Sequence, residues 1–339
     1  MRHFLWAICA FGLALAGCSG SSDEPVVRMS VASYNMPNLP FFIADSKGYF
    51  EEAGVKVRTE NFAQGGSKVL QALVSGSTDV AVGFYDHTIQ MQTKNKDVVA
   101  FVMLASNSGL VLAAGKNSKF DPARPETIRG SKVGITAPGS SSDFFIRYYL
   151  QRNGISANDI SLIGVGSGAA AVAALEQGNI DLLVNYDPAA TMLEARKIGR
   201  ILIDARSEGG AQAVYGGVYP ASVLYAQRDF IAKHPEQIEK ITRAMLKALT
   251  FIQDNDPQAI AGAVPPEYLA GDRKTYELAI QKAKAIFSKD GRFHPDDGKA
   301  PLAVLSAFNP DVRKTRIDLA RTYTNEFVDR ASAASGGAK

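Results

Sequence analysis

The stretch ALVSGSTDVAV at residues 72–82 is written a second time at 174–184, as ALEQGNIDLLV. Five of the eleven positions coincide: Ala72/Ala174, Leu73/Leu175, Gly76/Gly178, Asp79/Asp181 and Val82/Val184. Each copy reads as a helix end, a glycine C-cap and an aspartate leading into a strand. The echo continues upstream, where Phe41-Phe42-Ile43 answers Phe144-Phe145-Ile146 and YFEEAG at 49–54 answers YLQRNG at 149–154. Duplication and convergence on a common helix–glycine–strand pattern have the same structural consequence. The chain holds two copies of one α/β layout.

The first seventeen residues stand apart from that layout. Arg2 and His3 precede an apolar run from Phe4 to Leu15, which continues into Leu15-Ala16-Gly17-Cys18. Such a run is too short for a hydrocarbon core of about 30 Å, so residues 1–17 are expected to be a cleaved signal peptide. The Leu-Ala-Gly-Cys ending resembles a bacterial lipobox, making Cys18 the expected lipidation site and 18–27 a flexible tether. The expected location is periplasmic or at the cell surface, lipid-anchored, with the choice of membrane left open by Ser19. Cys9 and Cys18 are the only cysteines, so the mature fold is expected to have no disulfide, thiolate metal site or cysteine nucleophile. Without Arg2 the balance is 36 Lys and Arg against 34 Asp and Glu, a formal +2. That near-neutrality, with no basic run, argues against nucleic-acid binding.

From Val26 the chain alternates short β-rich runs with amphipathic ones, the pattern of an α/β fold with mainly parallel strands. Strands are expected at 27–33, 56–61, 80–83, 98–105, 132–136, 160–165 and 182–185. Helices are expected at 40–52, 67–75, 87–94, 141–152, 169–177 and 189–197. Beyond about Arg228 the pattern turns helical, over 229–254, 266–288 and 301–331. A strand-like pair, 109–114 and 214–225, flanks the second copy. The expectation is therefore two lobes joined by a two-strand hinge: lobe 1 from 28–112 and 216–331, lobe 2 from 113–215, and a disordered tail at 332–339. Lobes joined in this way can close on a solute.

In open parallel sheets ligands bind beyond the carboxyl ends of the strands, where helix N-termini also point. The corresponding loops nominate Tyr34, Asn35, Phe41, Gly66, Ser67, Tyr85, Asp86 and Asn107 from the first copy. The second copy nominates Gly139, Ser140, Ser141, Ser142, Asp143, Ser167, Asn185, Tyr186 and Asp187. Glycine and serine at helix starts leave backbone N–H groups and hydroxyls available to an anion, although each Ser or Asp could equally cap its own helix. Basic side chains are sparse in these loops, with Lys68 and Arg147 just inside helices, which favours a monoanion over a highly charged ligand. The expected ligand is a small organic anion, a sulfonate or carboxylate, aromatic or zwitterionic, with its head near Ser141, Ser142 and Ser67. No cofactor and no metal site are expected.

The segments PFFIADSKGYFEEAG (40–54), Gly66–Val82, IRGSKVGITAPG (128–139) and Ala174–Pro188 resemble the nitrate-, sulfonate- and taurine-type substrate-binding proteins of ABC transporters and their thiamine-precursor-binding relatives. The resemblance implies a type II periplasmic-binding-protein fold, monomeric, without enzymatic activity, delivering its solute to an ABC permease and its ATPase. Asp187-Pro188 stands where the family usually has Glu-Pro, so this carboxylate reaches less far. Eukaryotic thiamine-pyrimidine synthases resemble the same fold and supply a rival enzymatic reading, to which His87 is the relevant histidine. GVGSGA at 164–169 fits a loose dinucleotide fingerprint, but the first copy keeps the layout without the glycines. A lipoprotein that senses a solute without delivering it is a further alternative.

Overall fold

The computed structural model describes residues 25–62, 65–269 and 272–336. The expected signal peptide, Cys18 and most of the tether lie outside them. Among the described residues ten strands form: β1 (Val27–Val31), β2 (Val57–Asn61), β3 (Val80–Phe84), β4 (Val98–Met103), β5 (Val111–Gly115), β6 (Lys132–Ile135), β7 (Ser161–Gly164), β8 (Leu182–Asn185), β9 (Gly199–Asp204) and β10 (Ser222–Gln227). They make two five-stranded sheets, ordered β2-β1-β3-β10-β4 and β7-β6-β8-β5-β9. In each, three parallel strands are followed by one antiparallel strand and then one running with the first three. The antiparallel strand is the first one the chain makes after crossing over, β5 on the way out through 104–110 and β10 on the way back through 205–221.

The repeated phrase occupies equivalent places in both sheets. It closes α3 (Gly66–Ser75), which follows α1 (Leu39–Ser46), α2 (Tyr49–Glu52) and β2, and again α6 (Ala169–Glu176), and then enters β3 and β8. Gly76 and Gly178 take φ of 77° and 72°, a left-handed backbone that glycine reaches without a Cβ penalty. Asp79 and Asp181 then do the same work. The Asp79 carboxylate accepts the Arg28 backbone N–H at 2.9 Å, and that of Asp181 accepts the Lys132 N–H at 2.8 Å. Each aspartate thereby ties the start of the sheet's central parallel strands together.

The remaining helices are α4 (Asp86–Gln92), α5 (Ser141–Arg152), α7 (Ala189–Ala195), α8 (Glu208–Tyr215), α9 (Arg228–Lys233), α10 (Pro235–Asp254), α11 (Pro257–Gly262), α12 (Arg273–Ala283), α13 (Lys299–Phe308), α14 (Pro310–Lys314) and α15 (Glu326–Gly336). The expected helix 40–52 is two helices, because Gly48 between them sits at φ 69°. That at 229–254 breaks before Pro235, whose ring drives His234 out of helical geometry (ψ 46°). The expected strand at 214–225 begins only at Ser222, since Val214 and Tyr215 end α8. β9, in the sequence GRILID, was not expected. In α10, Ile238, Ile241, Met245, Leu249 and Ile252 recur on one buried face, and the helix packs on α1, α2 and α15. One continuous apolar core runs through both halves, with a smaller cluster around Val172, Leu175, Leu183 and Leu193 on the second sheet.

Candidate functional site

The strand-end loops of the two sheets meet around a cavity of about 790 Å³. The first half contributes Ser33, Tyr34 and Asn61 from the ends of β1 and β2, with Ser67, Lys68 and Gln71 from α3. The second half contributes Thr136, Ala137 and Pro138, the run from Gly164 to Ala170, and Pro188; Glu267 and Tyr268 close the rim. Two helix N-termini open into this space, one from each half. The N-cap of α3 is Gly65 and that of α6 is Gly168, and neither helix has a side-chain cap. Their first-turn N–H groups carry the positive end of the helix dipole into the cleft. Gly168 stands at φ 65°, ψ −140°, a region open essentially to glycine alone, so the turn that aims α6 depends on this residue. Lys68 is the one basic side chain among the described residues of the wall, and its Nζ lies 3.3 Å from Gln71 Oε1.

Ser33 and Thr136 also belong to a second, deeper cavity of about 20 Å³, with room for about one water. Around it the halves touch directly. Met36 N donates to the Asp187 carbonyl at 2.8 Å, and Ser141 Oγ to Asp86 Oδ1 at 3.1 Å. Tyr219, on the returning crossover, donates to Asp86 Oδ2 at 2.7 Å. Asp86 is fully buried, and that burial pushes its carboxyl above the usual range, against the pull of His87, Tyr219 and Ser141. His87 is buried beside it and held below the usual imidazole range by the same desolvation. Its Nδ1 lies 3.2 Å from the Tyr225 hydroxyl, while Nε2 lies 3.9 Å from Asp86 Oδ1 and makes no hydrogen bond; the residue borders the small cavity.

The expected site residues divide sharply. Tyr34, Ser67 and Ser167 line the large cleft; Asn35, Gly66, Ser140, Ser141 and Tyr186 line the small cavity. Several others serve the fold instead. Phe41 packs against Phe42 and Phe50 in the core, on the inner face of α1. The Tyr85 ring lies against Phe293 with its hydroxyl on Thr322, on the side of the first sheet covered by the C-terminal helices. Ser142 is wholly buried, sharing a triangle of 2.8–2.9 Å contacts with Thr136 and Ser140. Asp143 accepts from Gly139 N and Arg147, tying the turn before α5 to the helix's first turns. Asn185 braces the Gly166 carbonyl. Asp187 accepts from Thr191 N at 2.8 Å and pairs with Arg206 at 3.3 Å, so it turns away from the cleft while Pro188 reaches it. Asn107 is buried in the outward crossover with its Oδ1 unpartnered, and Gly139 borders a separate groove beside Lys94 and Lys96. An anion head at Ser141 and Ser142 is therefore corrected: the Ser141 hydroxyl donates a hydrogen bond to Asp86, and Ser142 is enclosed. Sequence reasoning missed Glu267 and Tyr268, whose helical C-terminal context gives no sign of contact with Tyr34.

Over residues 24–264 the sequence matches the model of the NMT1-like family. The chain belongs to the NMT1-like family. A solved structure from Bordetella bronchiseptica RB50 is 36% identical to this NMT1-like chain, covering 92% of it and 98% of that chain, with a TM-score of 0.88. The alkanesulfonate-binding protein SsuA of Xanthomonas axonopodis pv. citri, solved with MOPS, superposes at a TM-score of 0.68 and 17% identity over 88% of this chain and 98% of that one. Among sequence relatives, the 4-amino-5-hydroxymethyl-2-methylpyrimidine phosphate synthase of Aspergillus parasiticus is 25% identical over 309 residues, 86% of this chain and 83% of that protein. The NMT1-like chain has the two-sheet fold of periplasmic binding proteins.

Proposed function

We propose that this protein is the extracytoplasmic solute-binding component of an ABC importer, holding a small organic anion in the cleft between its two sheets and delivering it to a permease. The observation that carries this reading is the entry of two uncapped helix N-termini, one from each half, into a single cavity beside Lys68. Each terminus favours an anion by about 0.3–1 kcal/mol, more when partly buried, and termini on opposite walls add only when the halves are together. The structural likeness to SsuA supports the reading. The charged head sits at Ser67, Lys68 and the Gly168–Ala170 turn, with Tyr34 and Tyr268 beside the body of the solute. The lobes 28–112 with 216–331 and 113–215 are the moving parts, and Cys18 the lipid anchor.

The relationship to pyrimidine phosphate synthases does not redirect the reading. His87, the histidine to which an enzymatic role would fall, is enclosed between Asp86 and Tyr225 and does not line the large cleft. A thermal-shift screen over alkanesulfonates, aromatic and aliphatic carboxylates, nitrate, bicarbonate and thiamine precursors tests the proposal. An organic anion at about 100 times its Kd should stabilise the protein by about 2.7 kcal/mol, raising Tm by about 5 °C or more. Lys68→Ala should weaken that binding by about fivefold. No rise with any organic anion would defeat the reading.

A further inference from the structure

Tyr34 is the only aromatic among the large hydrophobic side chains left exposed in the described residues, at 37% of its surface, and the surface it exposes lies in the cleft. The ring is not loose. Phe42 meets it edge-on at 5.2 Å, and Tyr268 leans on it at 4.1 Å, tilted by 55°. Phe42 and Tyr268 also contact each other at 4.7 Å, so the three rings form one braced wall. Tyr268 arrives from a turn beyond residue 264, where the family match ends. The lining contributed by the second half carries only short side chains: Gly164, Gly166 and Gly168 alternate with Val165 and Ser167, beside Thr136, Ala137, Pro138 and Pro188. A Cβ built on Gly168 would meet nothing within 4 Å, so the space in front of that turn is open.

A fixed aromatic face beside a lining of short side chains suits a flat body better than a puckered or flexible one, because stacking needs a planar partner. The volume of about 790 Å³ is that of an organic molecule of drug size, not of a three- or four-atom anion. Resting on the solute-binding reading above, we infer that Tyr34, braced by Tyr268, makes this cleft selective for aromatic acids over saturated ones of the same charge and size.

Calorimetric titration with two matched pairs tests this: benzoate against cyclohexanecarboxylate, and 2-naphthoate against octanoate. The aromatic member of each pair should bind about tenfold more tightly, and ring-current shifts in the proton spectrum of bound 2-naphthoate should report stacking. Tyr34→Leu should abolish the preference, bringing the two members of each pair to equal affinity, and Tyr34→Phe should retain it. Tyr268→Leu, which removes the brace, should reduce the preference without touching the Lys68 side of the cleft. Equal affinity within each pair, or a preference that survives Tyr34→Leu, overturns the inference and leaves the anion reading standing. Failure of all four acids to bind overturns this inference alone; the anion reading falls only if no organic anion in the thermal-shift screen raises Tm.

Discussion

At the scale of single residues, the repeated phrase is explained by what its aspartates touch. Asp79 and Asp181 each satisfy a backbone N–H at the start of a neighbouring parallel strand, and each returns its own N–H to that same residue's carbonyl, at 2.9 and 2.8 Å. A parallel strand start has no hairpin partner, so a short carboxylate at this place supplies the missing acceptor. The two copies are not equal in energy. Asp79 also takes the Arg28 guanidinium through both oxygens, whereas Asp181 has only its backbone contact among the hydrogen bonds described. Asp181→Ala should cost about 1–2 kcal/mol and Asp79→Ala about 1 kcal/mol more, read from urea unfolding midpoints. Equal costs would show that the Arg28 pair, partly exposed to solvent, adds nothing. The aspartates were legible in the sequence as a pair; their partners were not, because a strand start about fifty residues away leaves no mark on the local pattern.

At the scale of elements, the start of α4 docks on the 138–142 loop and brings two titratable groups into the join between the halves. Asp86 faces Ser141 from α5, Tyr219 from the returning crossover, His87 on its own helix, and the rings of Tyr186 and Tyr215; no Lys or Arg is among these neighbours. Its carboxyl pKa is raised by burial, so its contribution to stability is present at low pH and fades as pH rises from about 4 through the raised value. His87 is the opposite case. Its pKa is lowered by burial, so its contribution is present above the unfolded value of about 6.5 and is lost as pH falls below it. Between these limits the proton accepted by Asp86 offsets the proton refused by His87. Asp86→Asn removes the first effect and the carboxylate that supports a charged imidazole, so Tm should fall more steeply from pH 7 to pH 5 in the variant than in the wild type. Parallel Tm–pH curves would show that the pair is not coupled to folding. The elements themselves were largely readable from the sequence, with β8 and α5 bounded as expected. β9 escaped because its apolar residues are framed by Arg200 and Asp204. Phe41 and Tyr85 were misplaced because a residue near a strand end can face the core or the cleft, and only packing decides which.

At the scale of the whole molecule, each sheet borrows its antiparallel strand position from the same chain crossing, so the two halves are tied by 104–110 and 205–221 and meet elsewhere through side chains and single backbone contacts. Around the small cavity those contacts are polar, Met36 to Asp187 and Ser141 to Asp86, with Lys282 of α12 to Glu194 of α7 at 2.8 Å farther out, while Phe84 packs on Tyr186 and Phe144 of α5 on Phe308 of α13 across the same join. Opening such a join would release hydrogen-bonding groups that water satisfies and would also expose apolar rings, so the apolar contacts favour the closed arrangement. Opening would also separate the N-termini of α3 and α6, leaving an anion with one helix instead of two. On the proposed solute-binding reading, binding and closure would be linked, because a solute stabilises the arrangement in which both termini face it by its difference in affinity for the two forms. Small-angle scattering should show the radius of gyration falling when a saturating organic anion is added. Ser141→Ala takes one donor from a buried carboxylate that exists as a contact only when the halves meet, so it should raise the Kd by about fivefold while leaving the bound form's radius unchanged. Replacing Ser142 instead should lower Tm, because its hydroxyl accepts from Thr136 N within one half, and should leave the compaction intact. A radius identical with and without bound anion would mean that the halves form one rigid body and that capture proceeds through the rim at Glu267 and Tyr268 alone.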